Sequence, residues 1–350
     1  MQNKISSKSR IFSQKAELFY KPIPKGVTPN LNVKKRTPPI KLLQTEALLH
    51  RLNPLEHPKR PLIEQDLKKR KAGYNGEKTV DYHLSFLTDK KYMILNDLRL
   101  PLAPDYFQID SLLVTPYYAL PIEIKNIAGI LTIDPEFNQL SKLLGGIETG
   151  YPDPITQANR QKLFLQRWFY NNKLPCPPIE FLVAISNPAT ILKMAPGHKR
   201  IPPYDKMIHA QTIVSEISKM NTQYTREVID LKKVKRLLLN QHQSAYSSIL
   251  PTYQLTESDL IKGVQCQKCT QIMIRKIGTW LCPGCCHLSK TAHLQAIEDY
   301  FLLIKPSITN QELRNFLHLP SAKTAAEILK SLNVKKTGST RGAVYTKVFQ

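Results

Sequence analysis

The sequence predicts a mixed α/β core over residues 73–190, a small cysteine-held module after residue 262, and C-terminal helices closed by a hairpin. Three observations lead there. Through the centre, apolar runs of strand length alternate with segments of helical period. Five of the six cysteines fall between Cys266 and Cys286. Charge is also uneven: residues 1–72 hold 17 Lys/Arg against 5 Asp/Glu, residues 73–200 hold 13 against 12, and residues 201–350 hold 20 against 10.

A near-neutral centre is therefore flanked by two basic arms within a chain of net charge +23. That is the electrostatic footprint of a nucleic-acid binder, although an anionic membrane surface attracts the same charge. No run of 18 apolar residues occurs, so no membrane-spanning helix is expected. The opening "MQNKISSKSRIFSQK" lacks an apolar core and cleavage site, so a cytoplasmic location is expected. Clustered cysteines in such a chain favour metal over disulfides.

Taken in order, residues 1–72 form a basic, Pro-containing arm. In it "YKPIPKGVTPN" and "KKRTPPIK" interrupt helix, while "LLQTEALLHRL" and "PLIEQDLKKRKAGYNGEK" permit short ones. "GEKTVDYHLSFL" then places Val80, Leu84 and Leu87 on one helical face. "KYMILNDLRL", "QIDSLLVTP", "ALPIEIKNIAG" and "GILTI" read as strands, "PITQANRQKLFLQRWFYNN" as a strongly periodic helix, and "IEFLVAISNP" as one more buried strand. Residues 191–262 read as a basic helical linker, with helices at "TIVSEISKM" and "VIDLKKVKRLLLNQH".

Three charged residues interrupt the apolar strands: Asp110, Glu123 and Lys125. A strand interior excludes unpaired charge, so something compensates these. Glu123 and Lys125, two residues apart, share a face; Asp110, on the preceding strand, joins them at one sheet end if the two strands pair, and Gln108 shares its face. Two carboxylates so close repel unless a divalent cation sits between them, and Mg²⁺ suits oxygen ligands of this kind. A lysine beside the metal can orient the attacking water and stabilise phosphorane-like charge. A solvated edge pair would account for Glu123 and Lys125 alone.

The pattern D…E-x-K on neighbouring strands resembles the PD-(D/E)xK nuclease superfamily. More narrowly, "GYNGE", "QIDSLLVT", "PIEIKNIAG" and "DPITQANRQKLFL", in that order, resemble the nuclease-related domain, NERD, over residues 73–190. The resemblance implies a restriction-endonuclease-like α/β core. It also implies Asp110 and Glu123 as ligands of Mg²⁺ or Mn²⁺, and Lys125 as the catalytic lysine. Glu77 corresponds to an acid that the superfamily often adds; the alternative is a first-turn Glu favoured by the helix dipole. Gln157 matches a glutamine near the metal and scissile phosphate, and Gln108 the residue before "ID". The superfamily's proline is absent, with Ile109 preceding Asp110.

Residues 263–290 contain "CQKC" and "CPGC", spaced as C-x2-C-x12-C-x2-C. Cys266, Cys269, Cys282 and Cys285 thus fit a four-cysteine zinc ribbon, with structural Zn²⁺ and no open coordination position. The run "CPGCCH" leaves Cys286 or His287 as alternatives to Cys285. A redox role lacks the βαβ context that such a motif needs.

Residues 291–350 read as three helices, "HLQAIEDYFLLI", "SITNQELRNFLHL" and "PSAKTAAEILKSLNV", then the basic hairpin "KKTGSTRGAVYTKVF". This order resembles a winged helix-turn-helix, whose third helix enters the DNA major groove. Lys323, Thr324 and Lys330 would then face DNA, with Lys335, Lys336, Thr340 and Arg341 contacting phosphates from the wing. A helical module for protein contacts is the alternative.

Together these features predict a Mg²⁺-dependent nuclease acting on DNA, with no membrane partner. Single sites in the superfamily are often paired by dimerisation, so a homodimer is the assembly considered. The rival is a DNA-binding or regulatory protein whose nuclease fold does not cut; an RNA-directed nuclease is a third reading.

Overall fold

The computed structural model describes residues 32–53, 56–244, 246–339 and 342–349. The first 31 residues of the basic arm, and Thr340 and Arg341 of the wing, lie outside the described residues.

The remainder of the arm contributes strand β1 (Asn32–Lys34) and helix α1 (Ile40–Arg51). Helix α2 (Arg60–Leu84) then runs for 25 residues. The sequence suggested two helices there; the intervening "GYNGE" does not break the run, and the division at 72/73 falls inside it. Gly in a helix interior costs about 0.5–1 kcal/mol relative to Ala. Gly76 has a packing reason to be there: a Cβ would come within 2.5 Å of Ser186 Oγ and 2.6 Å of Asn126 Cβ.

Strands β2 (Met93–Leu102), β3 (Asp105–Val114) and β4 (Ala119–Lys125) form an antiparallel meander. Next come β5 (Ile130–Asp134), β6 (Gln139–Leu144) and β7 (Ile147–Pro152), then helix α3 (Pro154–Asn171). Strands β8 (Leu182–Ile185), β9 (Ile191–Met194) and β10 (Met207–His209) follow, with helices α4 (Ile213–Gln223) and α5 (Leu231–Gln241) behind them. The main sheet has the order β1-β2-β3-β4-β8-β10. Its β1–β2, β4–β8 and β8–β10 pairs are parallel.

Both faces of this sheet are covered. On one, Val80 and Leu84 of α2 and Ile213 and Ile217 of α4 pack against Leu113, Leu120 and Ile122. On the other, Leu165, Trp168 and Phe169 of α3 and Val234 and Leu238 of α5 pack against Leu112, Val114 and Ala119. The result is three layers, α/β/α. The region read as a linker supplies two of its helices and an edge strand.

A second sheet, β7-β6-β5-β9, stands beside the first. Only β5 of its meander was legible in the sequence. Every residue of β7 is exposed, so no apolar alternation marks it.

Four short strands, β11 (Val264–Gln265), β12 (Ile272–Lys276), β13 (Thr279–Leu281) and β14 (Leu288–Ser289), form an antiparallel sheet around the cysteines. Helix α6 (Ala292–Leu303), strand β15 (Ser307–Thr309), helices α7 (Asn310–Leu317) and α8 (Ala322–Ser331), and strands β16 (Lys335–Thr337) and β17 (Val344–Thr346) complete the chain. Here β17 lies between β15 and β16. Thr309 and Glu312 form a capping box on α7, and Ser321 caps α8.

The cysteine sheet and these helices share one core: Val264, Met273 and Trp280 pack in the same cluster as Ala296, Phe301, Leu313 and Tyr345. Helix α1 is tied to α6 by a buried ion pair, Arg51 Nε to Asp299 Oδ2 at 2.7 Å. Arg51 also donates to the Gly263 carbonyl at 2.7 Å, so the buried guanidinium is well satisfied. Burial pushes the Asp299 carboxyl up, while Arg51 and Gln295 draw it back.

Candidate functional site

The antiparallel ladder between β3 and β4 runs from Val114↔Ala119 to Ser111↔Ile122 and stops there. One step further the strands part at Asp110 and Glu123. In place of a backbone acceptor, the Asp110 carboxylate takes the Ile124 N–H at 2.9 Å. Meanwhile β4 keeps its parallel pairing with β8 through Glu123↔Val183 and Lys125↔Ile185. The gap is thus lined by acid side chains while its floor stays rigid.

Glu123 is 2% exposed. Lys125 Nζ donates to its Oε1 at 2.6 Å and to Gln157 Oε1 at 3.0 Å. Its other oxygen, Oε2, accepts from Gln161 Nε2 at 2.6 Å. Both glutamines come from α3, four residues apart and so on one face. That helix is started by Asp153, whose carboxylate accepts from the N–H groups of Ile155 and Thr156 at 3.0 Å each, with Pro154 in the first turn. Gln157 was singled out from the sequence; Gln161 was not, although its i+4 spacing from Gln157 carried the signal.

Burial pushes the Asp110 carboxyl up, and the neighbouring Glu123 carboxylate adds to the push, against the Ile124 N–H. A divalent cation between the two would reverse that preference, because opposite charge stabilises both ionised forms. The donor set is oxygen only, which fits Mg²⁺ or Mn²⁺ and not a thiophilic metal.

Glu77 is near enough to add to the push on Asp110, and Arg36 engages it. It lies far inside α2, so the first-turn dipole account does not apply to it. Its carboxylate pairs with Arg36 Nη1 at 2.9 Å. Arg36, just beyond β1, also reaches Asp81 at 2.8 Å, Asp97 at 3.2 Å, Ser111 Oγ at 2.7 Å and the Asp110 carbonyl at 3.1 Å. Its side chain is 3% exposed. Burial alone would favour its neutral form, but Asp81, Asp97 and Glu77 more than offset this and keep it charged. Burial raises Glu77 to about 7 despite Arg36. Nothing in the Pro-rich arm marked Arg36 as the centre of this knot. Gln108 is exposed and sits opposite Arg99 on β2, at the mouth of a groove.

Residues 72–186 match the family model of the nuclease-related domain, NERD. The match covers about a third of the chain and contains Glu77, Asp110, Glu123, Lys125, Gln157 and Gln161. It begins within α2 and ends just after β8. Arg36, α4 and α5, which pack on the NERD domain, lie outside the matched segment. No curated protein matches the chain, and no solved structure does.

Away from the NERD domain, the ligand atoms of Cys266, Cys269, Cys282 and Cys285 lie within 4.8 Å of one another. The Cys266–Cys285 and Cys269–Cys282 sulfur pairs are 3.6 and 3.3 Å apart. These are far beyond a disulfide bond of about 2.05 Å. They are close to the edge of about 3.8 Å expected for sulfurs at about 2.3 Å from one Zn²⁺. Burial opposes ionisation of Cys282, but N–H groups of Cys285 and Gly284 and the Cys269 thiol bring it down to about 6. The four thiols therefore fit a structural zinc. Cys286, exposed and at φ 55°, and His287 are outside the cluster, whose fourth sulfur is that of Cys285.

On the C-terminal module Lys323 and Lys330 are exposed on α8, while the Thr324 N–H is taken by the Ser321 cap. Lys335 and Lys336 are exposed on β16, but as strand neighbours they point to opposite faces. No helix among the described residues is long and apolar enough to cross a membrane.

Proposed function

We propose that the chain is a metal-dependent nuclease that hydrolyses DNA phosphodiester bonds at the NERD domain. The observation that carries this reading is the meeting of Asp110 and Glu123 where β3 and β4 part, with Lys125 bridging Glu123 and Gln157. Asp110 and Glu123 would hold the divalent cation. When bound, such an ion acts as Lewis acid and lowers the pKa of its water. Lys125, fixed between two acceptors, orients the water and stabilises charge developing on the phosphate oxygens. Gln161 holds Glu123 so that one face of its carboxylate stays aimed at the metal. Glu77, engaged by Arg36, acts on the site through the electrostatics of the Arg36 knot.

The cysteine module holds zinc structurally, and the C-terminal helices and hairpin serve as a winged-helix-like DNA clamp. The order helix, strand, helix, helix and two strands supports this, as do exposed Lys323, Lys330 and Lys335. Lys336, on the other face of β16, is left to a separate phosphate contact. Arg341 keeps its assignment from the sequence alone.

The test is to incubate wild type and Asp110→Ala with labelled linear, nicked and single-stranded DNA, with Mg²⁺ or Mn²⁺ or with no divalent ion. Cleavage that needs both the ion and Asp110 supports the reading. Unchanged DNA binding with no cleavage by wild type favours the rival, a DNA-binding protein on a nuclease fold.

A further inference from the structure

A groove of about 870 Å³ opens beside the Glu123–Lys125 cluster, between the β2–β3 hairpin and α3. Its walls carry three cations, Arg99, Arg160 and Arg167, against one acid, Asp105. Arg160 and Arg167 are exposed and seven residues apart on α3. At about 1.5 Å per residue they stand about 10 Å apart along the helix.

Aromatic rings are interleaved with this charge. Phe107 and Phe164 meet edge-on, with centroids 5.7 Å apart, in the groove wall. The Arg99 guanidinium lies 3.8 Å from the Tyr106 ring centroid, yet Tyr106 keeps 41% of its surface exposed. At the inner end, Gln157 and Gln161 belong both to the wall and to the hydrogen bonds around Glu123 and Lys125. Gln161 is 6% exposed, and its Oε1 is a buried acceptor without a partner among the described residues. Its amide cannot turn round, because Nε2 is committed to Glu123. A buried acceptor of this kind awaits a donor from water or ligand.

We infer that this groove holds an unpaired DNA strand and leads its backbone to Asp110 and Glu123. The inference rests on the proposed nuclease function for the destination of the strand, not for its binding. A cationic track with aromatic rings is how proteins hold single strands, the rings taking bases and the cations phosphates. The groove's volume of about 870 Å³ lies within the range of about 300–1,000 Å³ typical of ligand sites, which is room for a few nucleotides.

The test measures binding by the full chain without added divalent metal, so that nothing is cut. Fluorescence anisotropy compares a labelled oligothymidine of about 15 nucleotides, a length near single-fold site sizes, with a blunt duplex. In Arg160→Ala/Arg167→Ala, oligothymidine affinity falls about tenfold, and its log–log salt slope becomes shallower by about 1.4, two contacts at about 0.7 each. Duplex affinity changes less than about twofold, the duplex being held elsewhere. Tyr106→Ala weakens the single strand at least about fivefold through lost stacking and leaves the salt slope unchanged. All three side chains are exposed, and unchanged thermal melts show that folding is preserved. Equal losses on both DNAs, no loss on either, or no binding of oligothymidine by wild type would overturn the inference. Selective loss in a protein that cuts nothing in Mg²⁺ would keep the groove and reject the nuclease.

Discussion

Gln161 Nε2 lies 2.6 Å from Glu123 Oε2, on the opposite side of the carboxylate from Lys125. Both oxygens of this buried acid are thereby held by side chains from two different elements. Without Gln161, Oε2 loses its amide donor in a site where water enters poorly.

The first prediction follows from that pairing. Gln161→Leu removes a charge-assisted hydrogen bond worth about 1.5–3 kcal/mol. Urea unfolding should show a loss of that size, and cleavage should fall more steeply than DNA binding. Unchanged stability and rate would mean that Gln161 only lines the wall.

The Arg36 knot gives a second. Arg36→Met leaves Glu77 and Asp81 without their buried partner and Asp97 with Lys34 as its neighbouring cation, and breaking a buried pair from one side costs about 3–5 kcal/mol. Thermal denaturation at neutral pH should show the NERD domain melting earlier. Acidification should narrow the difference, because protonation relieves the acids that the variant leaves unpaired.

Glu77 itself predicts a pH dependence. Its ordinary value of 4.5 is raised to about 7 in the fold, chiefly by burial. The folded state therefore holds a proton that the unfolded chain has released between these values. The stability of wild type relative to Glu77→Gln should be flat below pH 4.5, fall as pH rises towards about 7, and level off beyond it. Melts across that range decide it; a difference that grows with pH would contradict the assignment.

The cysteine cluster predicts about one zinc per chain, by elemental analysis, lost in Cys269→Ser. Trp280 and Cys282 share a core with α6, α7 and α8. Removing the metal should therefore loosen the whole C-terminal module, seen as greater exposure of Trp280 in fluorescence and loss of duplex binding. The NERD domain, with its own cores, should keep its melting transition.

What the sequence made legible was what period and spacing encode. The helical period through Leu165, Trp168 and Phe169 marked α3, and apolar runs marked β4 and β8. The cysteine spacing marked the metal cluster, and Asp110, Glu123 and Lys125 stood out because charge is costly inside strands. The rest depends on contacts between residues remote in sequence. Arg36 meets Glu77 from 41 positions away and Arg51 meets Asp299 from 248. No local period announces either. The all-exposed β7 shows no apolar alternation and is defined by its ladder with β6, whereas α2 continues through Gly73 and Gly76 because packing overrode local propensity.

The central claim is that Asp110 and Glu123 together support hydrolysis of a DNA strand. Single-turnover cleavage of a labelled DNA in Mg²⁺, comparing wild type with the near-isosteric Asp110→Asn, tests it most directly. The account predicts a loss of about a thousandfold, on the scale of removing one preorganised electrostatic group, with DNA binding retained. Cleavage at the wild-type rate by Asp110→Asn would contradict it.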